Sequence, residues 1–133
     1  MKRLLVVLVL GLFILACGTR NKTIINDNET AEEVRIANDS LEYEIIIIDI
    51  GFDTYLHTIA KPMEFYSQSY YETKNRLYVP EWNYRYRNPS RYNANLYENE
   101  IDYDPNIDYG LEVNYKLYNY FKFVEYKYGE RFF

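Results

Sequence analysis

Oxygen-bearing side chains alternate in Asp102-Tyr103-Asp104-Pro105-Asn106-Ile107-Asp108. Ligands at alternate positions suit calcium, so Asp102, Asp104, Asn106 and Asp108 are the candidate metal ligands. The departures from a calcium loop are large. Ile107 stands where such a loop turns on glycine, Pro105 stiffens it, and Val113 takes the place of the closing glutamate. An extended segment running into a helix cap accounts for the same acids. His57 is the only histidine, one turn after Asp53 and near Asp49 in sequence. Ser67 or Ser69 would have to complete a triad, yet neither sits in a nucleophile-elbow sequence. One histidine among scattered acids also lacks zinc-ligand spacing. No catalytic residue and no cofactor are expected. Arg76, Arg85, Arg87 and Arg91 interleave with Tyr78, Tyr84, Tyr86 and Tyr92 around Trp82. Stacking and guanidinium contacts from Trp82, Tyr84, Arg85, Tyr86, Arg87 and Tyr92 would suit a glycan or an anionic headgroup. The competing reading is a helix with a solvated arginine face and a packed tyrosine face.

Cys17 is the one thiol, and its position is specific. It closes an apolar run, Leu4 to Ala16, that follows Met1-Lys2-Arg3. Positive charges, about a dozen apolar residues and a small residue before the cut read as a secretory signal peptide, residues 1–16. The run is too short for an ordinary membrane-spanning helix. Ile14-Leu15-Ala16-Cys17-Gly18 resembles a bacterial lipobox, in which the cysteine becomes the acylated first residue. Ala16 fits that pattern, Ile14 is an accepted variant, and Leu15 is bulkier than the preferred residue. The resemblance implies attachment to the membrane through acylated Cys17. Gly18 rather than aspartate after the cysteine points to the outer membrane, and the lack of an acidic cluster there favours its periplasmic face. With Cys17 acylated, disulfides and thiolate metal sites are excluded.

Loss of residues 1–16 removes Lys2 and Arg3, leaving 117 residues with 13 basic and 20 acidic side chains, a balance of −7. That balance argues against nucleic acid and against non-specific attraction to anionic lipid. One domain is natural at this length. Of 17 tyrosines, 16 follow Ile50, joined by 7 phenylalanines in the chain. Tyrosine buries a ring while its hydroxyl seeks a partner, so the expectation is a thin core built from tyrosine, or an aromatic binding surface.

Residues 17–33 are polar and aperiodic and read as a flexible tether; residues 34–133 form the domain. Val34-Arg35-Ile36 and Leu41-Glu42-Tyr43-Glu44-Ile45 alternate around Asn38-Asp39-Ser40, which predicts a β-hairpin. Ile45 to Ile48 cannot all face one side of a strand, so this strand is expected to be central, with Glu98 to Tyr103 as a candidate third strand. Asp53 is the expected cap of a short helix, Thr54 to Ala60. Ser67 or Ser69 should cap a longer helix to about Val79, where Pro80 would kink or end it, with a resumption through Arg87. Tyr109 to Lys127 predicts a last helix capped by Asp108, with Leu111, Tyr115, Tyr118 and Phe121 on one side and Leu117 and Val124 alongside.

Arg35 to Ile48, Tyr66-Ser67-Gln68-Ser69-Tyr70, Asn75-Arg76-Leu77-Tyr78, Glu81-Trp82-Asn83 and Ile101 to Gly110 together resemble a family of small, uncharacterised lipoproteins from Bacteroidetes, classed as a domain of unknown function. The resemblance spans about residues 34 to 130 and implies a lipoprotein, with no activity to carry over. The expected fold is α+β: a small antiparallel sheet, a hairpin plus the third strand, packed with two long helices and one short helix. The expected role is that of a non-enzymatic structural or partner-binding accessory at the outer membrane. Its partners would be the membrane, through Cys17, and an envelope protein or peptidoglycan. A glycan- or peptidoglycan-binding module with a Tyr/Trp surface is the other reading.

Overall fold

The computed structural model describes residues 34–38, 43–47 and 49–133. The signal segment, Cys17, the tether, the hairpin turn and Ile48 lie outside these residues. The architecture is mixed and dominated by helices: β1 (Val34–Asn38), β2 (Tyr43–Ile47), α1 (Phe52–Thr58), a 3-10 turn (Met63–Phe65), α2 (Gln68–Tyr86) and α3 (Gly110–Tyr128). Among the described residues no helix is long and apolar enough to cross a membrane.

The expected sheet layer is not formed. β1 and β2 pair antiparallel as a two-stranded ribbon, with Val34 opposite Ile47 and Asn38 opposite Tyr43. β2 is therefore not central. Glu98 to Tyr103 takes irregular backbone instead of a third strand, and the cause is local. The Asn83 carboxamide donates to the Ile101 carbonyl and accepts from the Ile101 N–H, both at 2.8 Å. The Trp82 indole donates to the Asn99 carbonyl at 2.8 Å. Two side chains of α2 thus satisfy backbone groups that a strand would have paired.

Helix α3 is the centre of the molecule. Val113, Leu117, Phe121 and Val124 recur at helical spacing and are buried. This stripe is turned from the expected one: Leu111, Tyr115 and Tyr118 flank it, half-buried. Gly110 opens the helix at φ +81, a conformation that favours glycine, and its N–H donates to the Asp108 carboxylate. At the other end Gly129 takes the left-handed conformation and its N–H donates to the Glu125 carbonyl.

Helix α2 packs along α3. Ser67 caps it, its hydroxyl accepting from the Tyr70 N–H. It runs unbroken through Pro80, against expectation. Pro80 is exposed, as is Arg76 one turn back, so the carbonyl that loses its donor is open to water. Val79 and Trp82, on the buried side, hold the second half against the core. Helix α1 begins at Phe52, two residues before the expected start. Gly51, at φ +93, makes the turn, and Asp53 falls inside the first turn rather than at the cap. Phe52 is fully buried against Tyr120 and Phe123, each at 5.4 Å between ring centroids. Edge and tilted ring contacts of this kind run through the whole interior, joining Trp82, Tyr97, Phe121 and Phe132.

Candidate functional site

The six residues of the predicted aromatic and basic surface do not share one face. Trp82 and Arg85 point into the core, 3% and 6% exposed. Tyr84, Tyr86 and Arg87 are exposed, and Tyr92 is half-buried against Tyr84 and Tyr97. The helical period explains the split: residues 82 and 85 lie three apart on the side facing α3.

Arg85 is the most connected side chain of the interior. Its Nε donates to Glu81, its Nη1 to the Tyr97 hydroxyl and to Glu130, each at 2.8 Å, and its Nη2 to the Arg131 carbonyl at 2.5 Å. The guanidinium also lies 4.7 Å from the centre of the Phe132 ring. Burial alone would lower its pKa, but the bonds from Glu81 and Tyr97 overcome that and raise it. These contacts fold the segment after α3 back across α2 and place Phe132 among Tyr78, Trp82 and Phe121.

A second buried polar group lies where α2 meets α3. The Asn75 amide donates to the Asn114 backbone and side-chain oxygens at 3.0 and 3.1 Å. The Tyr103 hydroxyl donates to the same Asn114 oxygen at 2.8 Å. Burial pushes the Tyr103 phenol up to about 12. Asn75 Oδ1 has no partner among the described residues.

The acidic segment is engaged in holding its own backbone. Asp104 accepts from the Asn106 N–H and amide, and Asp108 accepts from the Gly110 N–H and the Gln68 amide. Asp102 is exposed. No group of three or more metal-ligating side chains occurs among the described residues. His57 is exposed and turned along its own helix, its Nδ1 2.9 Å from the Asp53 carbonyl. Cys17 lies outside the described residues.

A cleft of about 290 Å³ lies between β2, α2, α3 and the loop that joins the two helices. Its floor is apolar: Ile47, Leu96, Ile101 and Leu117, beside the edge of Trp82. Its rim carries Asp49, Glu98 and Glu100, the carboxamides of Asn95 and Asn99, and the phenols of Tyr120 and Tyr128. Two of the acids are already paired: Asp49 with Lys127 at 2.8 Å and with the Tyr128 hydroxyl, and Glu100 with Arg87. Glu98 has no such partner among the described residues. Burial, with Asp49 nearby, pushes the Tyr120 phenol well above its ordinary value, so it stays protonated at neutral pH. The one clue in the sequence is the run from Asn93 to Glu100, where Leu96 and Tyr97 interrupt a polar turn. Both are buried, and they fold the polar residues around them into the rim.

No curated protein and no solved structure matches the chain. A family match covers almost all of it, from residue 4 to residue 132. The chain belongs to that family, the family of unknown function DUF6146.

Proposed function

We propose that this chain is a lipoprotein of the bacterial envelope, anchored through acylated Cys17 to the outer membrane and facing the periplasm. There it acts as a non-enzymatic structural or partner-binding accessory. The lipobox-like sequence at Cys17 supports the anchor, and the family match includes the apolar run and the cysteine. The accessory role rests on one observation. The side chains best suited to chemistry, Arg85, Trp82, Asp104 and Asp108, are bound to neighbours in the fold. Groups held in this way rigidify a scaffold.

Metabolic labelling with an alkyne fatty acid tests the anchor: label is expected on the native chain and lost in Cys17→Ser. Label on neither would remove the lipoprotein reading. In-cell cross-linking followed by mass spectrometry tests the role. A specific envelope protein is the expected product. Recovery of peptidoglycan fragments alone would favour the second reading, a glycan-binding module, for which exposed Tyr84, Tyr86 and Arg87 are the available surface.

A further inference from the structure

The structure assigns a binding site to the cleft between β2, α2 and α3: we propose that it takes a primary ammonium on a short aliphatic stem, held by Glu98 and Tyr120. The inference concerns a site distinct from Cys17 and does not depend on acylation.

Three observations converge. The first is shape. A concave space of about 290 Å³ with an apolar floor and a few polar groups on its rim is the usual form of a small-ligand site. Ile47, Leu96 and Ile101 would cover an alkyl stem. The second is charge. Among the described residues three carboxylates line the cleft and no lysine, arginine or histidine does. Lys127 balances Asp49 and Arg87 balances Glu100, which leaves Glu98 as the rim carboxylate without a cation among the described residues. An anionic ligand would be repelled by the unpaired Glu98, whereas an ammonium completes the pairing. The third is hydrogen bonding. The half-buried Tyr120 makes ring contacts with Phe52 and Trp82, but its hydroxyl has no hydrogen-bond partner among the described residues. Its oxygen can accept from an ammonium, which has three donors to place. The ring itself is fixed by its packing, so the oxygen is already in position when the ligand arrives.

The ammonium could be carried by a free amine or by a lysine side chain of a partner, and two probes separate these sources. The full chain, held in neutral detergent micelles, is titrated with n-pentylamine and with N-acetyl-lysine methylamide while its amide and methyl NMR signals are followed. N-acetyl-norleucine methylamide, which lacks the amine, is the control. Saturable shifts at Ile47, Ile101 and Leu117 are expected from an amine-bearing probe at concentrations up to about 20 mM, and none from the control. Tighter binding of pentylamine would identify a free amine as the ligand; tighter binding of the lysine unit would identify a protein side chain. Glu98→Gln should weaken binding about tenfold and Tyr120→Phe about threefold, with the spectra otherwise unchanged. Equal binding of the norleucine control, no saturable shift from either amine, or an unchanged affinity in Glu98→Gln would each overturn the proposal.

Discussion

Arg85, near the end of α2, and Glu98, in the loop that follows it, have opposite fates. The arginine is buried and bound to Glu81, Tyr97, Glu130 and the Arg131 carbonyl. The glutamate is exposed, on the rim of a cleft, beside a phenol that also lacks a hydrogen bond among the described residues. A buried charge that loses its partners costs far more than an exposed one, because water can replace a partner only where water reaches. The comparison separates polar residues that hold the fold from polar residues that are left over for something else.

The sharpest way to break this contrast is at the arginine. Arg85→Ala removes the partner of Glu81, Tyr97 and Glu130, the guanidinium that stacks on Phe132 and the packing of a buried side chain, and should cost about 3–5 kcal/mol. Thermal denaturation followed by circular dichroism should show a fall in Tm of about 15 °C or more for a domain of this size. Arg85→Met keeps the packing and frees two carboxylates that water can reach, so its loss should be clearly smaller. Equal losses would mean that charge pairing and hydrogen bonding, not packing, carry the site.

Asn114→Ala probes the second polar group. It leaves the part-buried Tyr103 hydroxyl without its acceptor while Asn75 keeps the backbone carbonyl, so a cost of about 1–2 kcal/mol is expected in urea denaturation. Alkaline pH acts on the same phenol. The Tyr103 pKa is raised from 10.0 to about 12 in the folded chain, so the unfolded chain loses its proton first. Its contribution is intact below pH 10 and is lost as pH rises toward about 12. Absorbance at the tyrosinate band should therefore show a late group of tyrosines that titrates together with unfolding in that window. A simple titration complete near pH 10 would contradict the burial of Tyr103. The smallest effect belongs to the other side of the comparison: Glu98→Gln should leave stability within about 0.5 kcal/mol. A larger loss would mean that Glu98 has a structural partner after all.

Helices α2 and α3 were legible in the sequence because the Ser67 cap and the spacing of Leu117, Phe121 and Val124 act over a few residues. Both strands of the ribbon were legible for the same reason. What misled was distance. Pro80 was expected to break α2, but its position on the solvent face, set by the packing of residues 79 and 82, makes it tolerable. The third strand was expected as a partner for a β2 made central by its isoleucine run, and Asn83, some 18 residues from Ile101 in sequence, takes up its pairing groups. Trp82 and Arg85 were read as surface residues because the spacing of Arg and Tyr in α2 suits either face. Only the meeting with α3 and the segment carrying Phe132 chose the inner one. Beyond the run from Asn93 to Glu100, the cleft was not legible, because its floor and rim come from four parts of the chain.

The return of the segment after α3 to Arg85 also sets an order of events during synthesis. Arg85 is bonded to the carbonyl of a residue 46 positions later. While a growing chain has passed α2 but not yet reached Arg131 and Phe132, its central cation has neither of those contacts and its aromatic core lacks a ring. A nascent chain of that length should therefore remain loose and exposed to proteases or chaperones, and gain resistance within the few residues that complete the strap.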